Sequence, residues 1–195
     1  MVDYTIAAIP TMYGGRRYRS RLEARWAAFF DLLGWTHEYE PFDLGKWSPD
    51  FLVSNGGEVE LLVEIKPITE FDQDVANKMW NAWDGAGPRM LLQTYVAPRI
   101  ERDTVTLGSW IQPQEHPEWV EAWVGWFIEP DSPGFYADVT DIWRGVGKFS
   151  CGWASVMRGD ATYKEEPSAV LPQSYAEYTM ELWARATNAV QWEPR

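Results

Sequence analysis

Three residues in the first half of the chain have the side chains that metal-assisted hydrolysis of a phosphodiester requires. Asp50 follows Pro49, and the triplet Glu64-Ile65-Lys66 follows a short glycine-containing stretch. Two close carboxylates can hold Mg²⁺, which polarises the phosphate and lowers the pKa of a water molecule. A lysine beside them can orient or activate that water. We therefore treat Asp50, Glu64 and Lys66 as the candidate catalytic centre.

The pattern around these residues predicts two paired strands. Residues 59–66 (V-E-L-L-V-E-I-K) are rich in β-branched and apolar side chains, and they predict one strand. Side chains two residues apart on a strand project from the same face, so Glu64 and Lys66 share a surface. Residues 49–53 predict the preceding strand. Residues 55–58 (N-G-G-E) predict the hairpin turn between the strands, because glycine allows the positive φ angles of tight turns.

The register of this hairpin decides whether the two acidic residues meet. A strict two-residue turn at Gly56-Gly57 would pair Asp50 with Val63 and would turn Asp50 away from Glu64. The candidate centre therefore requires a loop of odd length, or a bulge, between the two strands.

The rest of the sequence predicts a mixed α/β chain. Apolar residues recur at three- and four-residue steps in residues 17–33, which is typical of an amphipathic helix, and Gly34 ends it. Thr69 is the predicted N-cap of a second helix that runs to residue 83. With strands at 35–40, 49–53, 59–66 and 89–95, the predicted order is α-β-β-β-α-β. The second half predicts strands at 105–111, 122–128 and 135–139 and a closing helix at 174–189, which a capping box opens.

The pair Pro49-Asp50, the triplet Glu64-Ile65-Lys66 and the order of elements together resemble the PD-(D/E)XK nuclease superfamily. Residues 19–27 (R-S-R-L-E-A-R-W-A) and 39–45 (Y-E-P-F-D-L-G) look like segments of small nucleases and nuclease-like proteins of phages and bacteria. The resemblance covers the first half of the chain. It implies an α/β fold with a restriction-endonuclease-like αβββαβ core at residues 1–96. A Trp-rich α+β extension at residues 97–195 would pack on this core and end in a helix.

The resemblance also implies a function, which is Mg²⁺- or Mn²⁺-dependent cleavage of DNA rather than RNA. Asp50 and Glu64 would be metal ligands together with the main-chain carbonyl of Ile65, and Lys66 would be the catalytic lysine. Glu23 on the first helix would be an outer metal ligand or would position water. The residues expected to contact phosphates are Arg16, Arg17, Arg19, Arg21 and Lys78.

The charge of the chain bears on this expectation. A formal net charge of −12 and a pI near 4.6 oppose long-range attraction to a phosphate backbone. The charge is unevenly distributed, however, because five arginines lie between residues 16 and 25. Such a cluster is either a solvated helix face or a local phosphate-binding surface on an acidic protein.

The candidate residues also have purely structural explanations. Glu64 and Lys66 can form an exposed ion pair on one strand face, and Ser20-Arg21-Leu22-Glu23 fits a capping box in which Glu23 satisfies a backbone N–H. The 13 tryptophans can form a stacked core or a binding surface. The alternative function is therefore a nuclease-fold protein with weak or no catalysis. It would bind a protein partner through its Trp-rich half, as an acidic inhibitor or an assembly factor.

The chain has one cysteine and two histidines, which limits the disulfides and metal sites that it can form. Cys151 cannot form an intramolecular disulfide, and the histidines lack the spacing of a structural zinc site. No apolar run approaches the roughly 18 residues that a membrane-spanning helix needs. We therefore expect a cytoplasmic protein without a membrane segment, located in the host cytoplasm if a phage encodes it.

Overall fold

The computed structural model describes residues 8–54, 60–83, 89–101, 104–112, 116–126, 133–139, 142–146 and 173–190. These residues form a mixed α/β arrangement with one sheet of eight strands and a separate two-stranded hairpin. The helices are α1 (Arg21–Leu32), α2 (Gln73–Ala82) and α3 (Gln173–Ala189). The strands are β1 (Thr11–Tyr13), β2 (Arg16–Tyr18), β3 (Thr36–Tyr39), β4 (Phe51–Ser54), β5 (Glu60–Ile65), β6 (Arg89–Glu101), β7 (Thr104–Gln112), β8 (His116–Trp126), β9 (Pro133–Val139) and β10 (Ile142–Val146).

The hairpin of β1 and β2 occupies the residues at which the first helix was predicted to begin. Met12 lies opposite Arg17 in this antiparallel pair, and α1 begins only at Arg21. Ser20 has an extended backbone, and its Oγ accepts a hydrogen bond from the Glu23 N–H at 3.1 Å. This bond satisfies an N–H that the first helical turn leaves unpaired. The predicted start of the helix at residue 17 is therefore wrong, because Ser20 is its N-cap.

The eight strands lie in the order β10-β9-β8-β7-β6-β5-β4-β3. Neighbouring strands are antiparallel except β5 and β6, which are parallel and are connected through α2. A parallel pair requires a crossover of this kind. The order α1-β3-β4-β5-α2-β6 is the one predicted from the sequence. The predicted cap of α2 at Thr69 is wrong, because Asp72 accepts the first N–H groups of that helix.

The sheet continues without interruption into the second half of the chain. β6 spans Arg89–Glu101, so the predicted division at residue 96 falls inside a strand. β8 begins at His116, earlier than the predicted strand at 122–128, and β10 was not predicted. The predicted closing helix is present and begins at Gln173, so Ser174 lies inside it rather than at its cap.

The larger apolar cluster lies between α1, α3 and the sheet. The ring centroid of Trp183 on α3 lies 5.0 Å from that of Trp26 and 5.4 Å from that of Phe29. These contacts attach the C-terminal helix to the first half of the chain. None of the helices in the described ranges is long and apolar enough to cross a membrane.

Alternation along β4 and β5 assigns the acidic residues to the face that α2 covers. Val63 belongs to the larger cluster, whereas Leu62 belongs to a smaller cluster with residues of α2, and Leu52 packs against that smaller cluster. Strand side chains alternate between faces. Asp50 and Glu64, each two residues from one of these leucines, therefore share the α2 face.

Candidate active site

Asp50 and Glu64 lie next to each other because of the register between β4 and β5. Phe51 pairs with Val63, so Asp50 does not pair with Val63 as a strict two-residue turn would have required. The register is the odd-loop alternative on which the candidate centre depends. The predicted turn residues 55–58 themselves lie outside the described residues.

The Asp50 carboxylate is almost completely buried, with 3% of the residue exposed. Oδ2 accepts a hydrogen bond from the Ile65 N–H at 2.7 Å, and Oδ1 forms an ion pair with the Arg19 guanidinium. Burial and, secondly, the charge of Glu64 raise the pKa of Asp50 to about 7, against the lowering effects of the Ile65 N–H and Lys66. Asp50 is therefore harder to ionise than an ordinary aspartate, and near pH 7 it is present in both its protonated and its ionised form.

Glu64 is 2% exposed and has a different partner on each oxygen. Oε2 accepts a hydrogen bond from Trp47 Nε1 at 2.6 Å, whereas Oε1 lies 2.7 Å from Lys66 Nζ and 3.6 Å from Lys78 Nζ. Burial tends to lower the pKa of Lys66, but the charges of Glu64 and Asp50 outweigh burial and raise it. The predicted shared surface of Glu64 and Lys66 is confirmed, and the Lys66 side chain carries its charge at neutral pH.

A cleft of about 300 Å³ opens at these carboxylates. Its lining contains four cationic and three acidic side chains, a balance opposite in sign to that of the whole chain. The lining residues are Arg19, Asp43, Gly45, Lys46, Trp47, Ser48, Asp50, Glu64, Lys66 and Lys78.

Glu23 lies near this centre but forms the hydrogen bonds of a helix cap. Its Oε1 accepts from the Ser20 hydroxyl at 2.9 Å, and its Oε2 accepts from the Arg19 N–H at 3.1 Å and from the Tyr39 hydroxyl at 2.5 Å. The charge of Glu23 contributes to the raised pKa of Asp50. Glu23 therefore acts electrostatically on the centre, although it does not line the cleft.

The five side chains predicted to contact phosphates do not lie together in the structure. Arg16 and Arg17 lie on β2 rather than on the first helix, and Arg21 lies on α1. None of these three lines the cleft, whereas Arg19 and Lys78 do. The arginines at residues 16–25 therefore do not share one helix, because the Ser20 cap separates β2 from α1.

Trp47 and the turn before it belong to the site, and the sequence interpretation missed them. Asp43 Oδ1 accepts from the Gly45 N–H at 2.8 Å and from Ser48 Oγ at 3.1 Å, and Gly45 has a φ of 78°. The spacing Asp43-x-Gly45 is a signal for such a turn. The contact between Trp47 and Glu64 has no local signal, because it joins residues from separate elements.

The oxygen donors at this centre fit a hard divalent cation. Asp50 and Glu64 provide carboxylates on one face, the ligand type that Mg²⁺ and Mn²⁺ prefer, and their mutual repulsion would fall if a cation bound between them. Within the described ranges, no group of three or more His, Cys, Asp and Glu side chains could hold a metal ion. Two carboxylates suffice for Mg²⁺, which keeps several waters and also binds oxygens of substrate phosphates.

No family model, no curated protein and no solved structure matches this chain. The chemistry that the cleft can perform follows from its geometry. That geometry consists of an adjacent acid pair, an ammonium group in contact with it and an open cleft with a surplus of cations.

Proposed function

We propose that the chain is a divalent-metal-dependent nuclease that hydrolyses phosphodiester bonds, of DNA rather than RNA. The main support is the adjacency of the buried Asp50 and Glu64 carboxylates, with Lys66 Nζ 2.7 Å from a Glu64 oxygen, in an open cleft. A merely structural ion pair would be expected at the exposed surface of the strand. Two adjacent buried carboxylates are unfavourable unless a cation compensates their charge.

The residues of the centre have distinct roles in this reaction. Asp50 and Glu64 would hold Mg²⁺ or Mn²⁺, with the main-chain carbonyl of Ile65 as a further ligand. When bound, the metal would neutralise charge at the phosphate and would lower the pKa of the attacking water. Lys66 remains an ammonium because its pKa is raised. It therefore donates hydrogen bonds that orient the water or a phosphate oxygen, rather than accepting a proton at neutral pH.

The other cations of the cleft support a phosphate-rich substrate. Arg19 and Lys78 have half-exposed side chains, at 59% and 48%, and both lie beside the carboxylates. Lys46 lines the same cleft. A local surplus of positive charge can attract phosphates to a chain whose net charge is −12. Binding through these residues would weaken as salt concentration rises.

A cleavage assay tests the proposal, with plasmid, linear duplex, single-stranded DNA and RNA as substrates and with Mn²⁺, Mg²⁺ or EDTA. Lys66→Ala should lower kcat by about 100-fold or more, since a positioned proton-transfer or hydrogen-bonding group contributes about 10²- to 10⁴-fold. Asp50→Ala should abolish both metal binding and cleavage. Asp31→Asn is the matched control, because Asp31 is a half-exposed acid that pairs with His37 outside the cleft. It should retain full activity.

A second candidate function is protein binding without turnover, as an acidic inhibitor or an assembly factor. Its support is that each carboxylate of the centre already has a cationic partner within the protein, Arg19 for Asp50 and Lys66 for Glu64. Mn²⁺ calorimetry separates the two functions. If no substrate is cleaved and no Mn²⁺ binds to the wild-type chain, the nuclease proposal is contradicted and the second function is favoured.

A further inference from the structure

Trp47 connects the apolar core beneath α2 to the acidic centre. The residue is 2% exposed, and it belongs to the smaller apolar cluster together with Leu62, Met79 and Leu91. The same side chain carries its Nε1 to within 2.6 Å of Glu64 Oε2. One ring therefore fills a core position and donates a hydrogen bond to a candidate metal ligand.

The backbone around Trp47 restricts the direction of this hydrogen bond. The Leu44 N–H donates to the Trp47 carbonyl at 2.9 Å, and the Lys46 N–H donates to the Leu44 carbonyl at 2.9 Å. These bonds close a tight turn just before the tryptophan. Since the ring is also enclosed by close-packed neighbours, it cannot rotate without disturbing the core.

The two oxygens of Glu64 differ in the charge of their partners. Oε2 receives a neutral N–H from Trp47, whereas Oε1 is next to the ammonium groups of Lys66 and Lys78. An indole N–H can only donate, and it carries no net charge. It can therefore hold the carboxylate in one orientation without neutralising the negative charge that attracts a metal ion.

We propose that Trp47 is the positioning residue of the metal centre. Its hydrogen bond occupies Oε2 and fixes the Glu64 side chain, so that Oε1, the oxygen beside the ammonium groups of Lys66 and Lys78, is the one that would meet a divalent cation. This inference rests on the proposed nuclease function, and it adds a residue that the nuclease motif does not contain. Partners that orient a metal ligand typically contribute about 10- to 100-fold to metal affinity.

The test is calorimetric titration of the full-length chain with Mn²⁺ in the absence of nucleic acid. Trp47→Phe removes the N–H and should raise the Kd for Mn²⁺ by about 10- to 100-fold. A second variant, Trp47→benzothienylalanine, replaces the N–H with sulfur and retains the shape of the ring. It should show the same loss of affinity with little change in its urea unfolding midpoint, which separates positioning from packing.

Trp26→Phe is the matched control. Trp26 is fully buried in the larger cluster, and its Nε1 has no hydrogen-bond partner in the part of the chain that the structure describes. This control should lose stability but should keep the wild-type Kd for Mn²⁺.

The wild-type titration distinguishes the two ways in which the inference could fail. If wild-type protein binds Mn²⁺ and both position-47 variants bind it equally well, the role of Trp47 is overturned while the metal centre stands. If wild-type protein binds no Mn²⁺, the metal centre fails and the positioning role fails with it.

Discussion

The ionisation of Asp50 should make the metal-free protein less stable as pH rises. Burial and the charge of Glu64 raise its pKa from 3.8 to about 7, with a smaller contribution from Glu23. Lys66 and the Arg19 guanidinium face the same carboxyl group. Between these two pKa values the folded protein retains a proton that the unfolded chain has released, so folding is favoured by that proton. This stability is fully present below pH 3.8 and is lost as pH rises through about 7.

The size of the effect follows from the pKa values. One pKa unit corresponds to about 1.36 kcal/mol. Between about pH 5 and pH 8, release of the proton from Asp50 should therefore lower the free energy of unfolding by about 3 kcal/mol. Solvent screens this effect little, because the residue is only 3% exposed.

The comparison variant is Asp50→Asn, which has the same size, can still accept the Ile65 N–H and cannot ionise. Urea unfolding of both proteins without metal should be followed from about pH 5, above the pI of 4.6, to about pH 8. Over this range the free energy of unfolding of the wild type should fall by about 3 kcal/mol relative to that of the variant. A difference between the two proteins that stays constant with pH would refute the reasoning, because the native pKa of Asp50 would then be ordinary.

Three further variants test other parts of the structure. Glu23→Gln should lower the free energy of unfolding in urea by about 1–3 kcal/mol, because the Tyr39 hydroxyl and two other donors lose a charged acceptor. Its Mn²⁺ affinity by calorimetry should change only slightly, because the charge of Glu23 is the smallest of the influences on the pKa of Asp50, and a large loss would instead indicate a metal ligand. Gly108→Ala should lower the free energy of unfolding by about 3 kcal/mol or more, because the added Cβ would lie 2.0 Å from the Gln93 carbonyl oxygen. Lys78→Ala should weaken DNA binding in fluorescence anisotropy with Ca²⁺ and should reduce the salt-dependence slope by about 1. An unchanged slope would contradict a phosphate contact.

The parts of the fold that were predictable have a local periodic signal. The four-residue spacing of apolar side chains in α1 and the β-branched run of β5 are properties of short segments, so the order from α1 to β6 follows from them. The hairpin before α1 was missed, although Gly14 and Gly15 have φ angles of 56° and 78°. Adjacent glycines are the signal for such a two-residue turn, but strands of three residues are too short to show alternation.

The extent of the sheet in the second half could not be predicted from local pattern. Pro98 lies within β6, and a proline normally argues against a central strand because it cannot donate to the ladder. The pairing of β6 with β7 shifts register between Thr94 and Arg99, and this irregularity accommodates the proline. The continuation of β6 therefore depends on its partner strand, which a pattern within one segment does not reveal.

Some contacts of the candidate site were likewise predictable from local pattern, whereas others were not. Glu64 and Lys66 share a surface because of the two-residue period of a strand, which is a local property. The position of Asp50 depended on hairpin register, and the sequence defined only the condition that the register had to meet. The contacts of Trp47 and Arg19 with the carboxylates join separate elements, so no spacing predicts them.

The unfavourable ionisation of Asp50 favours a functional role for the acid pair over a stabilising one. A pKa raised from 3.8 to about 7 means that ionising Asp50 in the folded protein is unfavourable by about 4 kcal/mol relative to the unfolded chain. A chain selected only for stability or for binding a partner through its surface would be more stable with a neutral residue at this position. A divalent cation reverses the balance, because it is attracted by the two charges that otherwise repel each other. Asp50→Asn should therefore be more stable than wild type at pH 8 without metal and inactive with it. Strained or unfavourable residues that persist in this way are typical of functional sites.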